Sequence, residues 1–410
     1  MPLPPILRAQ HLQGVRYEIR GPLARRAGEL ERQGYEILKL NIGNPAQFGF
    51  RTPETMRLAI IENLALAEGY CHQKGIFPAR EAVVMDTQAR GIRGVTADDV
   101  FMGNGVSELI LMCMEALLER DDEVLVPAPD YPLWTAAVTL AGGRAVHYPC
   151  RPENGFQPDP DEVAKLVTSK TRALVLINPN NPTGAVYPRA VLERLVRIAE
   201  EHKLVLFSDE IYDRILYDKA EHVPVATLCE GTLCATFGGL SKVYRACGFR
   251  TGWVTFSGKK SHAADYMEAL ELLASLRLCS NVPGQFAVQT ALGGVQSIYD
   301  LTAETGRLGR QRRALVRGIE RSKYLTCAVP QGALYAFPGV TEKARAELPE
   351  FDDARFAMEL LEREHVLVVP GSSFNVPYRN HFRLTLLPDE ETISEVFVRI
   401  ERLLDRWARL

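Results

Sequence analysis

Between residues 123 and 258 the chain alternates short apolar runs with amphipathic stretches. EVLVPAP from Glu123, RALVLINPNNP from Arg172, KLVLFSDEIY from Lys203 and TLCATFGGLSK from Thr232 each end in small or polar residues, and TGWVTF from Thr251 is a further candidate strand. Unbroken apolar runs of this kind suit strands buried on both faces of a sheet. Between two of them, YPRAVLERLVRIAEEHK sets Leu192, Leu195, Val196 and Ala199 at helical spacing with the charges mostly elsewhere. Pro188 suits an early helical position, where its missing N–H would be unpaired anyway. Strand, loop, helix, strand is the crossover unit of a mostly parallel α/β sheet. Ligands of such sheets bind beyond the carboxyl ends of the strands, which directs attention to 178–184, 209–212 and 238–250.

The pattern changes after about residue 300. GRLGRQRRALVRGIERSK predicts a helix, CAVPQGALYAFPGV strands and turns, and Asp353–Glu364 another helix; VLVVPG and HFRLTLL read as strands before a last helix. The expected organisation is a large cofactor-binding α/β domain at 51–300 and a smaller α+β domain at 301–410. Residues 1–50 are expected to pack with the smaller domain.

Composition narrows the function classes. A net charge of −3 gives no electrostatic case for nucleic acid or an anionic membrane. The opening MPLPPILRAQHLQG lacks the apolar core and cleavage site of a signal peptide, and no apolar run is long enough to span a bilayer. The eight cysteines, Cys71, Cys113, Cys150, Cys229, Cys234, Cys247, Cys279 and Cys327, include no CxxC pair and read as free, buried thiols of a cytoplasmic protein. The histidines form no HExxH or three-ligand cluster, so no catalytic metal is expected.

The chemistry-bearing residues gather at predicted strand ends. Asp209 and Tyr212 close one strand, while Lys242 and Arg250 follow the next. An acid, a tyrosine, a lysine and an arginine at adjacent strand ends suit a cofactor with a basic ring nitrogen, an aldehyde and a phosphate. GNGVSELILMCMEAL reads as a loop feeding a helix, whose first N–H groups bind phosphate well. Arg383, inside the otherwise apolar HFRLTLL, is expensive to bury without an anion, although on an edge strand it would simply be solvated. Glu18, Glu81 and Arg307 read as surface or inter-element charges.

Taken together, NIGNPAQFGF, GNGVSELI, PAPDYPLWTAAV, NPNNPTGAVY, SDEIYDRI and LSKVYRACGFRTGW resemble the class I/II aminotransferases of fold type I, which use pyridoxal 5'-phosphate. The resemblance covers nearly the whole chain and is nearest to bacterial glutamate–pyruvate (alanine) aminotransferases. It implies that Lys242 holds the cofactor's aldehyde and then carries the Cα proton, and that Asp209 pairs with the ring nitrogen. It further implies that Tyr212 and Asn181 donate to the ring oxygen and that Tyr131 stacks on the ring. Gly105, Val106, Ser107, Ser241 and Arg250 are the implied phosphate site. Tyr70 would reach the phosphate from a partner subunit, which implies a homodimer with shared sites. Arg383, Asn181 and the backbone of Gly43 would grip the substrate carboxylate, and Tyr17 or Arg20 would meet the distal end of a dicarboxylate. The implied reaction moves an amino group between L-alanine and 2-oxoglutarate. Aspartate, branched or aromatic partners for glutamate stay open. So do a C–S β-lyase, a degenerate homologue and an aminotransferase-like sensor domain, although motifs that begin by residue 41 leave a sensor no room for a DNA-binding unit.

Overall fold

The computed structural model describes residues 3, 5–9, 11, 12, 15, 21–348 and 351–409. Its central feature is a seven-stranded sheet. In spatial order the strands are Val100–Gly103, Gly252–Gly258, Leu233–Gly239, Val205–Asp209, Thr171–Ile177, Glu123–Ala128 and Arg144–Pro149. All are parallel except Gly252–Gly258, which runs against both neighbours.

The five apolar runs foreseen in the sequence are all strands. Two more were not foreseen. Val100–Gly103 is only four residues long. Arg144–Pro149 is an edge strand whose residues are mostly half-exposed, so it lacks the apolar run that marks its neighbours. Helices Val106–Leu117, Leu133–Leu140, Pro160–Leu166 and Arg189–Glu201 supply crossovers. Arg189–Glu201 buries Leu192, Leu195, Val196 and Ala199 as its spacing requires, while Pro188 is the residue that caps it rather than a position inside it.

Burial on both faces follows from the pleat. Val124, Val126, Val175, Ile177 and Phe207 join the core on one side of the sheet, whereas Leu125, Leu174, Leu176 and Leu206 join the other. Successive side chains point to opposite faces, so a continuous apolar run fills two cores at once. The second core runs without a break into the C-terminal region, through Phe356, Leu384 and Ile400.

That region contains helices Arg307–Arg321, Asp353–Glu364 and Glu390–Trp407 and a three-stranded antiparallel sheet. In the sheet, Phe382–Thr385 lies between Tyr335–Ala336 and Val369–Pro370. Arg383 is therefore on a middle strand, not an edge, and is 2% exposed. The N-terminal segment reaches the same region. Leu38–Lys39 pairs in parallel with Val366–Leu367, and Ala27 and Leu30 of helix Pro22–Arg32 pack on Leu361. Arg307 bridges elements as expected, donating to the Phe48 carbonyl at 2.6 Å and lying 4.0 Å over the Phe50 ring.

Candidate active site

Register sets the first wall of the site. Ile177, Asp209 and Phe237 lie opposite one another on three neighbouring parallel strands, so everything that follows them emerges along one edge of the sheet. Gly43, Val106, Ser107, Tyr131, Asn181, Asp209, Tyr212, Ser241, Lys242, Arg250 and Arg383 all line a single cleft there, with a volume of about 190 Å³. Tyr70 does not line it; its side chain is 83% exposed. Tyr17 and Arg20 lie outside the described residues.

Asp209 is buried, and two donors hold it. The indole Nε1 of Trp134 reaches Oδ2 at 3.1 Å, and the Ile211 N–H reaches Oδ1 at 3.3 Å. Burial outweighs both and pushes the carboxyl up from 3.8 to about 6. A carboxylate this poorly compensated has strong affinity for a cationic partner. Trp134 is itself wedged against Phe207 and Phe237, with ring centroids 5.8 and 5.3 Å away. The sequence reading missed Trp134. Trp134 is the second residue of helix Leu133–Leu140, and its acid partner is 75 residues away.

Lys242 follows the strand Leu233–Gly239 and donates from Nζ to the Gly43 carbonyl at 2.8 Å. On the same side, Gly105 caps helix Val106–Leu117 with no side-chain bond of its own; the Glu108 N–H donates to the Gly105 carbonyl, which leaves the N–H groups of Val106 and Ser107 for a ligand. Only glycine fits there. Its φ is +78°, and a Cβ would run into the Arg250 guanidinium. Arg250 donates to the carbonyls of Cys247 and Asn104, both at 3.1 Å. It holds a left-handed φ of 48°, a conformation that costs an L-residue on the order of 1 kcal/mol.

The second wall comes from the C-terminal region. Arg383 donates from Nη1 to Asn181 Oδ1 at 3.0 Å and from Nη2 to the Asn41 carbonyl. Among the described residues its buried Nε finds no acceptor. With its oxygen engaged by Arg383, the group Asn181 offers the cleft is its amide Nδ2. Tyr212 and Tyr335 meet hydroxyl to hydroxyl at 3.2 Å. Burial first, and then Tyr335, hold the Tyr212 phenol well above its ordinary pKa. Tyr335 also escaped the sequence reading, because GALYAFP has the pattern of an ordinary strand and turn.

Among the described residues the charges in the cleft are three cations, Lys242, Arg250 and Arg383, against the single acid Asp209. That balance suits a ligand set carrying a phosphate, a carboxylate and one basic nitrogen. Pyridoxal 5'-phosphate fits these donors: an uncapped helix start beside an arginine for its phosphate, and a buried carboxylate for its ring nitrogen. Among the described residues no group of three histidine, cysteine or acidic side chains could hold a metal ion.

Comparison with known proteins points the same way. Residues 35–400 match the family described as Aminotransferase class I and II. The chain is 48% identical over 406 residues to glutamate–pyruvate aminotransferase AlaA of Escherichia coli strain K12, across 99% of this chain and 100% of that one. It is 47% identical over 395 residues to an alanine aminotransferase of Mycobacterium bovis, across 96% and 91% of the two chains. A crystal structure of an aminotransferase from Escherichia coli matches with a TM-score of 0.96 at 48% identity, across 99% of this chain and 100% of that one.

Proposed function

This chain belongs to the class I and II aminotransferases, and from that premise we propose that it moves an amino group between L-alanine and 2-oxoglutarate, giving pyruvate and L-glutamate in a reversible reaction. Its architecture is fold type I and its cofactor is pyridoxal 5'-phosphate. The observation that carries the proposal is the cleft itself: a buried acid, a lysine and an arginine with an unpartnered Nε converge on one space. The alanine assignment rests on the names of the two relatives.

When bound, the cofactor supplies an aldehyde that takes up the amino group and a ring that accepts the charge left on Cα. The chain's own residues do the rest. The Val106 helix start, Ser107, Ser241 and Arg250 hold the phosphate by charge-assisted bonds. Asp209 keeps the ring nitrogen protonated, because a buried carboxylate is stabilised by a cation in contact. Tyr212 and Asn181 Nδ2 would donate to the ring oxygen, and Tyr131 would cover the ring. Arg383 grips the substrate carboxylate, completed by Asn181 and the backbone at Gly43. With the phosphate site and the carboxylate grip fixing its position, the substrate would present its Cα–H bond to Lys242 Nζ, which would take that proton and later release it. Fixing both ends is what selects proton removal over loss of the carboxylate.

Two copies are inferred to pair and share their sites, with Tyr70 reaching across. Exposed Leu58, Ile61, Leu64, Leu66 and Leu272 support an extended apolar contact. The partition into 51–300 and a smaller unit of 301–410 with 1–50 is supported by the pairing of Leu38–Lys39 with Val366–Leu367. A cytoplasmic setting is supported by the free state of all eight cysteines. Among the described residues no helix is long and apolar enough to cross a membrane.

The test is a half-reaction. Purified protein is loaded with pyridoxal 5'-phosphate and given L-alanine alone. Conversion of the visible absorption band with stoichiometric pyruvate is the expected result. A band that responds to glutamate but not alanine removes the alanine assignment and keeps the aminotransferase. Release of ammonia from a sulfur amino acid, with a free thiol, identifies a β-lyase instead.

A further inference from the structure

Tyr335 touches both halves of the site at once. It lies opposite Thr385 in the three-stranded sheet, and alternation along that strand puts Arg383 on the same face. Its ring sits 4.3 Å from the Arg383 guanidinium, whose other ring neighbour, Phe374, is at 4.9 Å. The guanidinium is therefore held between two aromatic side chains, a geometry that attracts a cation and limits its rotation. At its far end the Tyr335 hydroxyl meets that of Tyr212 at 3.2 Å, with the rings edge to face at 81°. The same hydroxyl lies so close to Gly43 that a Cβ there would collide with it. Tyr335 is 3% exposed, so none of this is a surface arrangement.

Resting on the reading above, we propose that Tyr335 is a positioning residue for both the carboxylate grip and the donor to the cofactor's ring oxygen, its ring fixing Arg383 and its hydroxyl strengthening Tyr212 as a donor. The hydroxyl hydrogens rotate to suit their surroundings. Once Tyr212 donates to the cofactor's ring oxygen, its own oxygen is left to accept from Tyr335. A donor that is also an acceptor is polarised and binds more strongly. The ring acts separately: it holds the guanidinium plane in place while the substrate is absent. The two effects reside in different atoms of one side chain, so they can be pulled apart.

The experiment uses three loaded variants beside wild type: Tyr335→Phe, Tyr335→Leu and Tyr212→Phe. Two quantities are read: the pH midpoint of the cofactor's visible band, and the calorimetric Kd of glutarate, an unreactive dicarboxylate. Loss of a donor to an oxyanion disfavours the anion, so the midpoint rises in Tyr212→Phe. Tyr335→Phe should raise it too, by a smaller step of about 0.5 pH unit, while glutarate binds within about twofold of wild type because the ring remains over Arg383. Tyr335→Leu should weaken glutarate about tenfold. Tyr335→Phe keeps the packing, so the hydroxyl arm stands even if Tyr335→Leu folds poorly. A Tyr335→Phe midpoint coincident with wild type, or glutarate affinity unchanged in folded Tyr335→Leu, overturns the inference alone. A wild-type protein that binds the cofactor without any visible band overturns it together with the reading beneath it.

Discussion

Asp209 ends a strand of five residues, and Lys242 follows one of seven; Arg383 and Tyr335 sit on strands of four and two. The two walls of the cleft are thus positioned by different means. On the large sheet, backbone register aligns Ile177, Asp209 and Phe237, and the acid arrives at the edge because the ladder delivers it there. On the small sheet little ladder exists, and side chains do the positioning. Two rings bracket Arg383, and Asn181 and the Asn41 carbonyl accept its protons. A ladder of many hydrogen bonds resists single substitutions, whereas a guanidinium held by side chains depends on each of them. Changes on the first wall should therefore read out in turnover, and changes on the second in ligand affinity.

The strongest way to break that contrast is Lys242→Ala. If Lys242 moves the proton as proposed, kcat should fall by about 10⁴-fold, while the phosphate site proposed at Arg250 should still retain the cofactor. Single-turnover pyruvate formation from L-alanine checks it. A loss of only tenfold would mean that another group carries the proton. On the second wall the counterpart is Arg383→Met. Removing the carboxylate's partner from a buried site should cost about 2–5 kcal/mol in kcat/KM, mostly through KM. Stability of the free protein should hold or rise, because an apolar chain of similar length then fills the space between Tyr335 and Phe374. Urea unfolding and substrate titration on one preparation give both numbers, and a fall in kcat at unchanged KM would erase the distinction between the walls.

Asp209 sharpens the contrast through pH. Its folded pKa of about 6 lies above the unfolded 3.8. An acid raised in this way contributes its full stability below the unfolded value and loses it as pH rises through the folded one. Between about pH 4 and pH 6 the cofactor-free protein should lose roughly 3 kcal/mol on account of this group. Asp209→Asn has no such titration, so it should match wild type near pH 4 and exceed it above pH 7. Bound cofactor should reverse the order above pH 7, because the ring nitrogen needs the carboxylate. Denaturant unfolding at several pH values, with and without pyridoxal 5'-phosphate, tests both halves.

The same contrast explains what could be read in the sequence. The large wall was legible because Asp209, Tyr212, Lys242 and Arg250 fall at the ends of apolar runs, and a strand end is visible in one dimension. Arg383 was legible by its cost, as a cation in the middle of FRLTLL. Trp134 and Tyr335 were not. Their importance lies in what they touch, and those partners are far away in the chain: Trp134 meets Asp209 and Tyr335 meets Tyr212 only after folding. Val100–Gly103 and Arg144–Pro149 escaped for a related reason. One is too short to set a period, and the other keeps polar residues because an edge strand has less to bury.

The smallest expected effect lies at the seam between the walls, where Asp130 and Asn375 join them. The Asp130 N–H donates to the Phe374 carbonyl at 3.2 Å, and Asn375 Nδ2 donates to Asp130 Oδ1 at 2.9 Å. Phe374 is one of the residues whose ring lies beside the Arg383 guanidinium, so this seam sets one side of the carboxylate grip proposed there. The other Asp130 oxygen accepts from Thr135 Oγ1 at 2.6 Å. The same Thr135 oxygen lies 2.9 Å from His147 Nε2. Burial pushes the Asp130 carboxyl up to about 7 despite these bonds. Asn375 has a left-handed φ of 58°, so Asn375→Gly deletes the donor without straining the backbone. Below pH 7 the lost bond is to a neutral carboxyl and should cost about 1 kcal/mol. Above pH 7 it is to a carboxylate, and the cost should grow to about 2 kcal/mol. The sign follows from linkage: removing a donor that favours the anion raises the folded pKa further, so more stability is lost as pH rises. Unfolding at pH 6 and pH 8.5 measures the difference directly. An equal cost at both values would mean that Asp130 does not change charge across this range, and that the seam joins the two walls by packing alone.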